Sequence, residues 1–375
     1  MPAHLGHFDE FLFVFRGKYV DGHGACPGGW RAVATGQLGR IGYAGADGWF
    51  RPYTIGSCAP TKVRKMTVNI LFSATRDTWH SYQATLSDAL EARDISFHLS
   101  QDIAAENVDY IVYAPSSDVQ DFTPFTRCKA VLNLWAGVED VTGNSTLKMP
   151  LARMVDHGLT RGMVEWVVGH TLRHHLGMDA HLNGQDGMWR KAIQPLAEDR
   201  RVALLGLGAL GMACAEALLA LGFQMRGYSR QPKNIPWMDT FSAGGGLQAV
   251  LEGAEIVILL LPQTPQTENI LNAQTLSLLA PGAVVINPGR GPLIDDAALL
   301  AALDSGALGH ATLDVFRTEP LPTNDLFWAH PKVTVTPHIA SATRPKTSAQ
   351  VIAENIHRGE NGAPFLHLVD RKSGY

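Results

Sequence analysis

Arg290, Glu319 and His338 follow one another in the last quarter of a 375-residue chain, downstream of glycines Gly206, Gly208 and Gly211. A guanidinium can hold a carboxylate with paired N–H donors, and an imidazole can deliver a proton. A carboxylate behind the imidazole can keep it charged and orient its ring. A nicotinamide held on the glycine turn would supply a hydride. Together these groups describe reduction of a 2-oxo acid, with hydride going to the carbonyl carbon and a proton to the oxygen on which negative charge develops.

The local sequence places each group. Asn287-Pro288-Gly289-Arg290-Gly291 closes an apolar strand, and His338 follows another strand and Pro337. Both are therefore expected at carboxyl ends of strands, where open α/β sheets bind ligands. An arginine on a turn is usually only solvated, and a lone histidine among the 15 present is usually structural. What distinguishes His338 is Glu319, which stands before Pro320 in a proline-rich loop and is the candidate partner for the ring.

Gly206-Leu207-Gly208-Ala209-Leu210-Gly211 follows an apolar strand and opens an Ala/Leu-rich helix, the context a dinucleotide-binding fingerprint requires. Its glycines allow a tight turn, close approach of a pyrophosphate to the backbone, and close helix–strand packing, so phosphates meet a helix N-terminus. The next strand ends at Tyr228-Ser229-Arg230, where an NAD-preferring site would carry an acid. Ser229 can donate a hydrogen bond, and Arg230 with Lys233 can neutralise a 2'-phosphate. NADPH is therefore the expected cofactor and NADH a weaker one.

These groups need a scaffold. From residue 66 onward strands and helices alternate, near 68–72, 81–92, 95–98, 110–113 and 130–134, followed by a helical stretch near 161–175. After Asp199 the alternation restarts with a strand at 201–205, the glycine turn, a helix at 209–221, and strands near 224–228, 256–261, 284–286, 312–315 and 333–335. A last helix is expected near 346–358. This predicts an α/β protein made of two Rossmann-like, doubly wound parallel-sheet domains. Residues 1–65 are Gly-rich and lack periodicity, and they read as an irregular extension. Met66 is the expected physiological start, with the extension arising from upstream translation.

Composition narrows the function. Apolar residues make up 46% and charged residues 18%, and a net charge of −4 offers no basic field for nucleic acid. The apolar runs are far shorter than the ~20 residues that cross a bilayer. The four cysteines, Cys26, Cys58, Cys128 and Cys214, show no paired spacing, which suggests a reducing, cytoplasmic setting. His170, His174 and His175 have helical spacing but no flanking acid, so a helix surface is the expected reading and no metal is predicted. Ser341, His338 and Asp314 could be drawn as a hydrolytic triad, but no G-x-S-x-G elbow is present.

Larger motifs carry a resemblance. Leu313-Asp314-Val315-Phe316 with Glu319-Pro320-Leu321-Pro322, then Thr336-Pro337-His338, Thr343-Arg344-Pro345 and the ending Val369 to Tyr375 resemble the D-2-hydroxyacid dehydrogenases. Within them the chain from Met66 is similar to the glyoxylate/hydroxypyruvate reductase A branch. The resemblance implies that Arg290 binds the substrate carboxylate and carbonyl oxygen, that His338 is the proton donor with Glu319 its partner, and that Asp314 holds the nicotinamide carboxamide. It implies a substrate loop at Trp135, Ala136, Gly137 and Val138, with the amides of Gly137 and Val138 on the carboxylate, and an adenosine-flanking loop at Leu261 and Pro262. It further implies a split substrate domain (66–163 plus 343–375) hinged to a cofactor domain (164–342), and a homodimer. Pro115, Ser116 and Ser117 depart from the bulkier residues of related reductases near the active-site mouth. The reading from residues and resemblance is NADPH-dependent reduction of small 2-oxo acids such as glyoxylate and hydroxypyruvate. The alternatives are an NAD(P)-sensing binding protein of the same fold and an NAD-linked sugar-acid phosphate dehydrogenase.

Overall fold

The computed structural model describes residues 31–33, 42–44 and 67–371, and the chain divides into units 1–64 and 65–375. In the first unit, strands β1 (Arg31–Val33) and β2 (Gly42–Ala44) pair antiparallel. The sequence predicts no element there, because three-residue strands leave no periodic trace. The expectations for Met66, Cys26 and Cys58 lie outside the described residues.

The second unit carries two parallel sheets. β3 (Val68–Ser73), β4 (Phe97–Ser100), β5 (Tyr110–Tyr113), β6 (Ala130–Asn133) and β7 (Leu151–Ala152) form a sheet of order β4-β3-β5-β6-β7. β8 (Arg201–Leu205), β9 (Gln224–Ser229), β10 (Asp239–Ser242), β11 (Ile256–Leu259), β12 (Ala283–Asn287), β13 (Leu308–Leu313) and β14 (Val333–Val335) form the other, of order β10-β9-β8-β11-β12-β13-β14. Every pairing in both sheets is parallel. The first order is that of flavodoxin-like sheets, and the second extends the Rossmann order by one strand. Both reverse direction at a switch point, beside β3 and β8 respectively.

Burial explains the sequences. β5, β6 and β11 are buried at every position, as expected of strands covered on both faces. The helix Arg76–Glu91 and the C-terminal helix Pro345–Glu360 cover one face of the five-stranded sheet, where Leu86, Leu90, Ile352 and Ile356 are fully or almost fully buried beside Ile70 and Tyr110. Pro345 suits the first turn of its helix because its missing N–H has no partner to lose there. The helix His157–His175 packs Met163 and Val167 onto β8 and β11 of the other sheet. It starts four residues earlier than predicted because Asp156 caps it, accepting from the Gly158 and Leu159 amides at 2.7 and 3.1 Å. The boundary expected between residues 163 and 164 falls inside this helix. β7, β10 and the helix Met178–Asn183 are additions to the predicted elements. Among the described residues no helix is long and apolar enough to cross a membrane.

The histidines of the long helix correct one expectation, since they do not form a helix surface. His175 is buried with its ring centroid 5.0 Å from that of Phe223, and His174 Nε2 lies 2.8 Å from Thr312 Oγ1 of β13. The His174 ring also stands 5.0 Å from that of His310. Burial, reinforced by neighbouring cations, pushes His174 down to about 3 and His310 to about 4. Both rings are therefore neutral when folded, whereas an unfolded histidine takes up a proton near pH ~6.5. Below that pH the unfolded chain binds more protons, so stability is full above pH ~6.5 and falls as pH drops toward 4. Thermal unfolding between pH 7 and 4.5 should show this acid loss, and His174→Gln should flatten the slope.

Candidate active site

The glycine turn, Arg290 and His338 follow β8, β12 and β14, so all three stand at the carboxyl edge of the seven-stranded sheet. At the glycine turn, Gly206 adopts φ +115°, and a Cβ there would lie 2.4 Å from Leu260 O. A Cβ on Gly211 would lie 1.8 Å from Gly206 O, so no other residue lets the helix Ala209–Ala220 approach β8 this closely. Leu261 is buried beside this contact, and the Pro262 carbonyl accepts from Thr267 at 2.7 Å. Gly208 is the N-cap of that helix, contributes no side-chain cap, and faces open space. Ala209 and Leu210 form its first turn. Uncapped N–H groups beside open space are what a pyrophosphate needs, so the turn fits a dinucleotide.

At the end of β9 the expected 2'-phosphate groups are unequally disposed. Ser229 is buried and its hydroxyl donates to Gln231 O at 2.7 Å, so its proton is already engaged. Lys233 Nζ donates to Leu207 O at 2.5 Å, which leans the ammonium against the glycine turn. Arg230 is exposed.

His338 and Glu319 meet directly, with Nδ1 2.6 Å from Oε2. An ionised carboxylate only accepts, so Nδ1 carries the shared hydrogen and Nε2 is the ring nitrogen left to act. The His338 side chain is 51% exposed, so Nε2 can meet a ligand. Glu319 is oriented through its other oxygen, which accepts from the Phe316 amide at 2.8 Å. Phe316 in turn touches the Arg290 turn, since a Cβ on Gly291 would lie 2.0 Å from the Phe316 carbonyl carbon. Backbone contact thus ties the arginine turn to the histidine pair.

His338 has φ +53°, a left-handed conformation that costs a non-glycine residue roughly 1–2 kcal/mol. Asp314, with no exposed surface, holds it there. Its Oδ1 accepts from Thr336 Oγ1 at 2.6 Å and the Ile339 amide at 2.9 Å, its Oδ2 accepts from the Ala340 amide at 2.8 Å, and its carbonyl accepts from His338 N at 2.8 Å. Asp314 is therefore first a brace for the histidine turn, a use that the resemblance did not suggest. The same bonds exclude a triad with Ser341, whose hydroxyl donates to Leu159 O.

Arg290 is engaged by a residue the sequence reading passed over. Its Nε donates to Glu139 Oε1 at 3.0 Å and Nη2 to Oε2 at 3.4 Å, while Nη1 donates to Gly289 O at 2.7 Å. Glu139 opens the short helix Glu139–Thr142 that follows the Trp135 to Val138 turn of the five-stranded lobe. That turn is held from beneath by Asn133, buried at the end of β6, whose amide donates to the carbonyls of Trp135 and Gly137, both at 2.9 Å. Trp135 is 42% exposed, Ala136 half-buried, and Val138 buried in the core. Asn287 does the same for the arginine turn, donating to Arg290 O at 2.9 Å and accepting from Gly289 N at 3.1 Å. Both asparagines end a buried apolar strand before a turn, a signal present in the sequence and not used. Among the described residues no group of three or more His, Cys, Asp or Glu could hold a metal.

Comparison with known proteins agrees with this geometry. Residues 167–340 match the model of the family described as D-isomer specific 2-hydroxyacid dehydrogenase, NAD binding domain. The chain is 40% identical over 257 residues, 66% of its length and 82% of the relative's, to a glyoxylate/hydroxypyruvate reductase A of Serratia proteamaculans. A D-isomer specific 2-hydroxyacid dehydrogenase from Xanthobacter autotrophicus Py2, solved in complex with NADPH and MES, superposes with a TM-score of 0.77 at 36% identity, covering 83% of this chain and all (100%) of that one. An NADPH-dependent glyoxylate/hydroxypyruvate reductase from Sinorhizobium meliloti, solved with NADP and sulfate, gives 0.73 at 34% identity, with coverage of 83% and 100%.

Proposed function

The chain belongs to the D-isomer specific 2-hydroxyacid dehydrogenase family, and from that premise we propose that it reduces small 2-oxo acids, glyoxylate and hydroxypyruvate among them, at the expense of NADPH. The observation that carries this reading is the 2.6 Å His338–Glu319 pair at the same sheet edge as the Arg290 turn and an uncapped glycine-turn helix. The two lobes act as a substrate domain, built from 66–163 and 343–375, and a cofactor domain, 164–342. A second copy completes a homodimer, supported by the exposed apolar side chains of Leu182, Met188, Trp189 and Ile193. The unpaired thiols of Cys128 and Cys214, which burial pushes up to about 12, support a reducing cytoplasm.

NADPH bound on the glycine turn supplies the hydride. Gly206, Gly208, Ala209, Leu210 and Gly211 present backbone to its pyrophosphate, and Leu261 and Pro262 flank its adenosine. Arg290 and the amides of Gly137 and Val138 hold the substrate carboxylate between the lobes, with Trp135 and Ala136 shaping the turn. His338 Nε2–H points its proton at the carbonyl oxygen, where charge develops during reduction, and the Glu319 carboxylate stabilises the charged ring until the proton leaves. Asp314, assigned to the nicotinamide carboxamide, has no exposed surface, so its part there passes through the histidine turn that it braces.

Loss of NADPH absorbance with a panel of 2-oxo acids tests the reading. Turnover of small 2-oxo acids supports it, and NADPH binding without turnover would identify a sensor instead. Arg230 and Lys233 are assigned to the 2'-phosphate, Ser229 to shaping the strand end. Arg230→Ala should raise the KM for NADPH about 10-fold, as expected for one lost charge-assisted bond of roughly 1.5 kcal/mol, and leave NADH unchanged. Equal losses with both cofactors would overturn that assignment.

A further inference from the structure

The reaction as assigned leaves the Arg290–Glu139 ion pair without a role, although it lies on the group that must receive the substrate. An arginine presents two edges to carboxylates: a side-on edge of Nε and Nη2, and an end-on edge of Nη1 and Nη2. Glu139 occupies the side-on edge, and Gly289 O takes one N–H of Nη1. One N–H on each of Nη1 and Nη2 remains, and that of Nη2 belongs to the end-on edge. We propose that Glu139 is a positioning residue that turns this end-on edge of Arg290 toward the substrate carboxylate and, through its charge, matches the site to monoanionic 2-oxo acids. The inference rests on the functional reading above and specifies the substrate charge it takes.

Two further observations support it. Glu139 follows Gly137 by two residues, and a Cβ on Gly137 would lie 2.7 Å from Glu139 Oε2 and 2.0 Å from Arg290 Nη2. Carboxylate, loop backbone and guanidinium therefore share one contact, so the lobe that carries the loop also aims the arginine of the other lobe. Arg153 stands beside the same loop: it follows β7, and the next residue, Met154, donates its amide to Trp135 O at 3.0 Å. Burial lowers the Arg153 guanidinium and the charge of Glu139 opposes that shift, so Glu139 acts on Arg153 through its field as well as bonding Arg290. The trio of Arg153, Glu139 and Arg290 carries one net positive charge, which a single substrate carboxylate neutralises. A second negative charge would find no partner in the trio.

The test uses full-length wild type, Glu139→Ala and Glu139→Gln, with glyoxylate kinetics and with binding of two unreactive probes, the monoanion oxamate and the dianion oxalate, to the NADPH-loaded protein. Glu139→Ala should raise the KM for glyoxylate and the Kd for oxamate about 10-fold, with kcat within about 3-fold and the KM for NADPH unchanged. Glu139→Gln keeps an oxygen for Nε–H and should recover most of that loss. It also removes one negative charge, so oxalate should gain about 10-fold over oxamate, the size expected for unit charges near 6 Å at the intermediate dielectric of a partly exposed site. Unchanged oxamate binding in Glu139→Ala, or an unchanged oxalate-to-oxamate ratio in Glu139→Gln, overturns the inference. Wild type that binds oxamate but turns over no 2-oxo acid overturns the functional reading alone, and wild type that binds neither probe overturns both.

Discussion

Replacing His338 with alanine is expected to lower kcat for 2-oxo acid reduction by about 10²–10⁴-fold, the contribution of a well-placed general acid, while NADPH binds as before. The bonds that hold this residue run to Glu319 through the ring and to the Asp314 brace through the backbone. Steady-state kinetics and fluorescence titration of NADPH separate the two quantities. The protein should also not unfold, because alanine leaves every bond to Asp314 in place, all of which are made by backbone atoms or by Thr336. The imidazole ring is not needed for packing either, since the side chain is half-exposed. Turnover that survives the substitution would mean that another group delivers the proton, and the assignment would fall.

Gly137→Ala should be nearly as damaging, for a reason visible only in three dimensions. The added methyl would sit 2.0 Å from Arg290 Nη2 and 3.2 Å from its Cζ, so the guanidinium must move. Moving it is cheap for the fold, because the atoms displaced are the far end of a flexible side chain and Gly137 does not need a left-handed backbone. It is expensive for the reaction, because a clamp misplaced by about 1 Å costs on the order of 100-fold in rate. The expected result is kcat/KM for the oxo acid reduced about 100-fold with an unchanged melting temperature. A melting temperature that fell in step with activity would show that the glycine serves packing instead.

These two sites differ in how far the chain announced them. Arg290, Glu319 and His338 were readable because each lies within a few residues of a strand's carboxyl end, and the glycine turn because its function depends on spacing of two and three residues. Glu139 was not, since its partner is 151 positions away on another sheet and a surface-patterned glutamate at the start of a short helix has many ordinary explanations. Asp314 was assigned outward to a ligand when most of its bonding faces inward, because a sequence says which oxygens are present but not which donors reach them first. β10 escaped notice for a different reason: it is a partly exposed edge strand beside Gly244, Gly245 and Gly246, so neither alternation nor a buried run marks it. The helix His157–His175 carried inward histidines that look like solvated ones until Thr312 and Phe223 are placed beside them.

The chain passes between the two lobes twice, near residues 156–162 and again near 341–347, and the passages are clasped to each other. Ser341 donates to Leu159 O, Arg344 to Gly158 O, and side-chain atoms of Arg344 and Thr347 come within 3.3 Å of where a Gly158 Cβ would be. Thr343 adds a bond to Leu134 O at 3.0 Å, one residue before the substrate turn. Two pins set side by side define an axle. A lobe joined through such an axle would turn about it, so any change in the angle between the lobes would move Gly137 and Glu139 relative to Arg290 along one arc.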